Sequence, residues 1–516
     1  MTDNDPTSLL VPRVREGTPG TGHWEVPDRL RVSGPREWVD ALTDLLSGGT
    51  GWRFGDSEGD PHVVLRRAAL PAEGYRLEVT SAGIRIEAGD RSGLVHACST
   101  LRALLPDWTE LPAPPAGRVT RLPLCSIVDE PRFAWRGIHV DVARHFVPLE
   151  WLFAFVDRIS RFKLNRLHLH LTDDQGWRFE VKSMPRLTEV GAWRPGTGNP
   201  GREDGTPHGG YYTQAQLRAL VEHARSRGIV VVPEVDVPGH VRALLAAHPE
   251  LGNGTEVTVA TGFDVFTEVL HPRERSVAAV KQIFSELLEV FDSPWIHIGG
   301  DECPRKQWRE SVEMQELAAS LGLEDGVESL QRWFTAELQG WLAERGRTTI
   351  AWDEVLQSGP VPGAVVMAWR GARFGREALA QGNEVIMSPN QTTYFDHYQS
   401  DLPTEPHGQP ETCTWQDVVA WDPCEGIEDD ANLLGVQGQL WTEYMPDTSH
   451  LEYMAFPRLL VLADIAWAGR IDDPCGYRAV LEAAVARLEA AGVNVRPLDG
   501  PRPWQEGGTG LRRRPD

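Results

Sequence analysis

From residue 133 onward, short apolar runs alternate with longer stretches of mixed polarity. The runs are Gly137–Asp141, Arg166–Leu171, Val230–Val235, Trp295–Ile298, Thr349–Trp352, Ala364–Ala368, Glu384–Met387 and Leu434–Leu440. Apolar runs of this length read as strands buried on both faces. Between most of them, apolar residues recur at helical spacing. Examples are Trp151–Phe162, Gln214–Arg227, Val277–Phe291, Ser329–Arg345 and Phe374–Gln381, and Tyr453–Trp467 follows the last run. Eight strand–helix units predict an α/β chain folded as a (β/α)8 TIM barrel. The text before the barrel differs. Val63–Leu65, Tyr75–Val79 and Ile84–Glu87 read as strands, the last two joined at Ser81-Ala82-Gly83, and Gly93–Leu105 reads as a helix. This predicts a small α+β domain over 24–125 and a barrel over 126–505. Residues 1–23, polar and rich in Gly, Pro and Thr, are expected to form a flexible lead-in, and 506–516 a disordered tail. The long stretch 391–430 has the length of a functional loop.

Composition narrows the partners. Lys+Arg total 51 against Asp+Glu 74, a formal net charge of -23. Nucleic acid and anionic membranes would repel such a chain, so neither is an expected partner. No apolar stretch approaches the roughly 20 residues of a membrane span. The start, Met1-Thr-Asp-Asn-Asp-Pro6, lacks the basic and apolar blocks of a secretory signal, so a cytoplasmic location is expected. Six cysteines without metal-type spacing read as reduced thiols there, and Cys413 with Cys424 would pair only after export. The sequence carries no mark of an oligomeric state. Tryptophan is abundant, 19 against 8 Tyr. Its flat apolar face with an N–H handle suits stacking on sugar rings.

A barrel's chemistry sits at the carboxyl ends of its strands. Those ends read Asp141-Val-Ala-Arg144-His145, Thr172-Asp173-Asp174-Gln175, Pro233-Glu-Val-Asp236-Val-Pro-Gly-His240, Asp301-Glu302, Trp352-Asp353-Glu354, Trp369-Arg370, Tyr394-Phe-Asp396 and Trp441-Thr-Glu443. Singly, each is unremarkable: an acid there caps a helix, and a tryptophan fills a core. Together they bring carboxylates and hydrogen-bond donors for hydroxyls inside aromatic walls. The pair Asp301-Glu302 follows two glycines, and adjacent side chains point apart. Such a pair can act on two atoms of one substrate.

The stretches Arg136–Phe146, His168-Leu-His-Leu-Thr-Asp-Asp-Gln-Gly-Trp177 and His297-Ile-Gly-Gly-Asp-Glu302 resemble the family 20 glycoside hydrolases, the β-N-acetylhexosaminidases. The resemblance runs through 126–505, and the N-terminal domain is similar to the one preceding the barrel in that family. It implies exo-hydrolysis of a terminal N-acetyl-β-hexosamine from an oligosaccharide or glycoconjugate, without metal or other cofactor. It implies further that the substrate's own acetamide is the nucleophile. Glu302 matches the general acid/base. Asp301 matches the carboxylate that orients the acetamido nitrogen, and Tyr394 the donor to its carbonyl oxygen. Arg144 and Glu443, with Asp396 beside them, match the clamp on the terminal sugar's hydroxyls. Asp173 and His240 match the groups that set the acid's proton affinity, and Trp352, Trp369 and Trp441 the aromatic walls.

Two other readings compete with this one. His168-x-His170 places two imidazoles on one strand face, as metal-dependent amidohydrolases do. Those enzymes need further histidines and a metal-binding aspartate on later strands, where this chain has Trp352, Trp369 and Trp441. A sugar-binding protein without activity would be expected to have lost Asp301, Glu302 or Tyr394, and all are present.

Overall fold

The computed structural model describes residues 5–55, 59–112, 118–199, 201–359 and 361–506. In the small domain, six strands form one sheet. They are β1 (Glu16–Glu25), β2 (Val32–Ser33), β3 (Val63–Arg67), β4 (Tyr75–Thr80), β5 (Gly83–Ala88) and β6 (Arg121–Asp129), in spatial order β1-β6-β4-β5-β3-β2. β4 and β5 are the expected hairpin, turning where Thr80 pairs with Gly83 at φ 137. Helices α1 (Arg36–Thr50) and α2 (Arg91–Ala103) belong to this domain, and the Asp90 side chain caps α2 at the Gly93 N–H.

One expectation is corrected here. Residues 16–25 are not a loose lead-in but the edge strand β1, paired antiparallel with β6. Only Trp24 of its ten residues is buried, so the strand is held by backbone bonds and carries no apolar pattern. Leu10 and Val11 are buried as well. Residues 1–4 of the lead-in, and 507–516 of the expected tail, lie outside the described residues.

Eight parallel strands close the barrel: β7 (Trp135–Asp141), β8 (Arg166–His170), β9 (Val230–Glu234), β10 (Trp295–His297), β11 (Thr348–Trp352), β12 (Val365–Ala368), β13 (Val385–Met387) and β14 (Leu433–Leu440). Each expected apolar run is one of them. Helices pack outside, including α3 (Leu149–Arg161), α4 (Gln214–Ser226), α5 (Glu274–Val290), α6 (Leu330–Ala343) and α7 (Ala372–Ala380). The single helix expected over 453–467 is two, Thr448–Ala455 and α8 (Arg458–Ala468), because Pro457 has no N–H to continue the ladder. A further helix, α9 (Pro474–Ala490), follows. Among the described residues, no helix is long and apolar enough to cross a membrane.

Register positions the chemistry. His170 pairs with Asp141 on one side and Glu234 on the other, and Glu234 pairs with His297. Four polar residues thus stand in one layer at the strand ends, above an apolar plug that includes Trp135, Val232 and Ile350.

Candidate active site

Above that layer opens a cavity of ≈ 320 Å³. All the expected site residues line it except Asp173 and His240, which stand buried behind Arg144 and Glu302. The chain after β13 adds Asn390, His397, Gln409 and Glu411 to the wall. Sequence reading missed these four, and the length of the stretch 391–430 was the only signal for the last three.

The acidic pair owes its pose to backbone. Gly299 and Gly300 have φ 68 and 97, and Glu302 itself has φ 44. A Cβ on Gly299 would lie 1.8 Å from Asp236 Oδ1, so only glycine lets the chain pass that carboxylate. The Gly300 N–H donates to the same oxygen at 2.9 Å. The two acids then diverge: the Asp301 side chain is 13% exposed, that of Glu302 42%.

Behind Glu302 runs an alternating chain of charge. His240 Nε2 faces Glu302 at 3.6 Å, and its Nδ1 lies 3.3 Å from Asp173 and 3.2 Å from Asp174. Asp173 Oδ2 also takes Arg144 at 2.8 Å and His170 Nε2 at 2.9 Å. His170 Nδ1 reaches Glu234 at 2.6 Å. Glu234 further accepts from the Trp352 indole at 3.0 Å. Burial opposes every one of these charges. The Asp173 and Glu234 carboxylates nevertheless hold His170 well above the ordinary imidazole value, and Asp173 and Asp174 do the same for His240. Arg144, His240 and His170 hold Asp173 well below the carboxylate range. The facing His240 lowers Glu302.

Asp301 has a different neighbour. Ligand-type atoms of Asp236, His240 and Asp301 lie within 4.8 Å of one another. Burial raises Asp301 and, with the Asp301 charge, lifts Asp236 well above its usual value. The His240 imidazolium opposes the rise of Asp301, which favours the anion there and the proton on Asp236. From the sequence, Asp174, Glu234 and Asp236 read only as strand-end residues and His170 as half of a metal-type pair, because proton sharing needs the fold.

At the far wall, Asp396 Oδ1, Glu443 Oε2 and Asn390 Oδ1 are buried without a hydrogen-bond partner among the described residues. Buried polar atoms are normally paired, so three orphans facing one cavity mark a place for a ligand's hydroxyls. Arg144 lies 3.9 Å from Glu443 and its guanidinium sits 5.0 Å from the Trp441 ring centre. Tyr394 stacks on Trp369 with ring centres 5.9 Å apart, and burial keeps its phenol protonated, as a donor.

Among the described residues, two other groups have metal-type spacing, His139 with His168 and Glu234, and Asp173 with Asp174 and His240. In both, carboxylates already pair with imidazoles, as in the chain above. All six cysteines are free thiols, Cys413 and Cys424 included.

Residues 133–470 match glycosyl hydrolase family 20, catalytic domain, and residues 7–130 match domain 2 of the same family. A β-hexosaminidase of Porphyromonas gingivalis is 36% identical over 85% of this chain, and the match spans 56% of that longer protein's length. A β-hexosaminidase of Akkermansia muciniphila is 35% identical over 79% of this chain and 81% of its own. A Streptomyces plicatus β-hexosaminidase mutant, solved in complex with GlcNAc as product, superposes with a TM-score of 0.82. It is 32% identical and covers 96% of this chain and 97% of its own. By the family match over both domains, the chain belongs to glycosyl hydrolase family 20.

Proposed function

We propose that this chain, a glycoside hydrolase by family, removes a terminal non-reducing N-acetyl-β-hexosamine from an oligosaccharide or glycoconjugate with retention of configuration. The observation that carries the reading is the divergent pair Asp301-Glu302, facing a cavity walled by three tryptophans. Arg144, Asp396 and Glu443 hold the terminal sugar's hydroxyls, which leaves room for one residue and makes the action exo. Tyr394 donates to the acetamide carbonyl oxygen and aims it at the anomeric carbon. Glu302 protonates the departing glycosidic oxygen as the carbonyl oxygen bonds to that carbon, giving an oxazolinium. Asp301 takes the N–H of the acetamide and faces the positive charge that forms there. Glu302, now a carboxylate, removes a proton from water as water opens the ring. Aromatic walls hold the acetamide near attack geometry and exclude water, which strengthens the charges. An ordinary retaining glycosidase uses an enzyme carboxylate as nucleophile; here the substrate supplies it.

The free thiols fit a cytoplasmic enzyme, and cell fractionation would test that placement. The function is tested with aryl N-acetyl-β-glucosaminides and -galactosaminides beside the 2-hydroxy analogues. The acetamido sugars are expected to be cleaved and the 2-hydroxy sugars left intact. A sugar trapped covalently on Asp301 or Glu302 from a 2-fluoro glycoside would overturn the mechanism.

A further inference from the structure

The three tryptophan walls are not held alike. Trp352 is 1% exposed and bonds Glu234 through its indole N–H. Trp441 is 8% exposed and packs on His139 with ring centres 4.3 Å apart. Trp369 is only half-buried and lies at the margin of the apolar cluster that contains the other two. Fewer neighbours fix its angle, so its hydrogen bond matters more. That bond goes to Glu354, whose carboxylate oxygens lie 3.0 and 3.2 Å from the indole nitrogen. The backbone of the same loop is anchored next door: the N–H groups of Trp369 and Arg370 donate to Asp353 Oδ2 at 2.9 and 3.1 Å. Arg370 pairs with Asp353 and lies 3.6 Å from Glu354. Glu354 is 9% exposed and is not among the residues lining the cavity.

We propose that Glu354 sets the size of the N-acyl slot: by holding Trp369 at one angle beside Tyr394, it fixes a wall that admits acetyl and turns away longer acyl chains. The inference rests on the functional reading above, in which the 2-acylamino group lies against Tyr394 and the tryptophans. Glu354 touches no substrate atom and is a positioning residue. Burial, with the Asp301 and Asp353 charges, raises the Glu354 carboxyl to about 8, and its oxygen accepts the indole N–H whether the group is charged or protonated, a directional tether. Without it, the N–H can be satisfied only if the half-exposed ring turns toward water, and that turn widens the slot. A well-fitted apolar slot discriminates one methylene by roughly 10–200-fold.

The test compares kcat/KM for aryl β-glucosaminides bearing N-acetyl, N-propionyl and N-butyryl groups. Wild type is expected to lose about 10-fold or more per added methylene. Glu354→Met keeps the side-chain length and removes the acceptor, and should narrow the acetyl-to-propionyl ratio by about fivefold or more. Glu354→Gln keeps an oxygen for the indole N–H and should restore the wild-type ratio. A merely structural role would lower all three substrates together, and an unchanged ratio in Glu354→Met overturns the proposal. If that variant does not fold, Glu354→Asp decides, since it leaves the Trp369 wall intact and draws the acceptor back from the indole N–H: narrowing supports the tether and an unchanged ratio refutes it. Failure of the wild type to cleave any N-acetyl substrate is a separate result, which would overturn the hexosaminidase reading itself.

Discussion

His240 Nε2 lies 3.6 Å from the Glu302 carboxylate. The imidazolium, fixed by Asp173 and Asp174, makes Glu302 a better carboxylate in the open site than an isolated glutamate would be. An acid catalyst needs the opposite. A bound sugar would cover the Glu302 side chain, now 42% exposed, and loss of water disfavours its charge. The proton affinity of Glu302 is therefore expected to rise on binding, when a proton is wanted.

Glu302→Gln should lose about 10²–10⁴-fold on substrates with poor leaving groups. Aryl glycosides, whose leaving group departs without a proton, should suffer far less. Measured kcat/KM across a leaving-group series decides: equal losses remove Glu302 from the acid role.

Asp301→Asn should weaken a thiazoline analogue of the bicyclic intermediate. Mimics of high-energy species bind about 10²–10⁸-fold more tightly than substrates, and part of that advantage here is the anion facing the ring. Inhibition constants for wild type and variant are the measurement. An undiminished thiazoline affinity would leave Asp301 without its proposed partner.

Arg144→Ala should cost stability as well as activity. From the sequence, a strand-end arginine reserved for hydroxyls would be expected to spare the fold. In the structure, Arg144 is 8% exposed and meets Asp141 at 3.2 Å, Asp173 at 2.8 Å and Glu443 at 3.9 Å. Removing one partner of a buried ionic group typically costs about 3–5 kcal/mol. Urea unfolding checks it, and a midpoint like the wild type's would mean that solvent compensates the three acids.

The contact between the two domains should be acid-labile at Glu110. Burial opposes its charge, but Arg102, Arg161 and Arg487, at 2.7, 3.1 and 2.7 Å, bring it from 4.5 down to about 2. Burial pulls Arg161 itself down to about 10, so the shared carboxylate gains more from the cluster than each arginine does. The folded value lies below the unfolded one. The stabilisation is therefore complete above about pH 4.5 and is lost as pH falls through about 2, and it amounts to about 3 kcal/mol. Glu110→Gln should be less stable than wild type at pH 7, and the gap should close toward pH 2. A gap that ignores pH would assign the effect to packing.

The barrel was legible because buried parallel strands write themselves as apolar runs, and Trp295–Ile298 or Leu434–Leu440 could hardly be anything else. Nine of the eleven expected site residues line one cavity because each stands at or beyond the end of one of those runs, while Asp173 and His240 stand behind it. β1 was not, since a strand that buries only Trp24 is held by main-chain bonds that any sequence can make. α9 was missed as well. The roles of Asp236, Glu234 and Glu354 depend on which residue of another strand each one meets, and a single chain does not carry that.

Glu73 sits in the small domain, yet its carboxylate pairs with Arg136 of β7 and accepts from Asn165 at 3.1 Å. Asp129, at the end of β6, accepts from Lys163 at 2.7 Å and from the Trp467 indole at 3.0 Å. Arg136 and Lys163 are both buried. A clone beginning at residue 133, where the catalytic-domain match starts, would strand two cations in an apolar interior. The catalytic part is thus not a portable module. A shortened or chimeric product is expected to need Glu73 and Asp129 along with the barrel, so that the two matched regions fold as one unit.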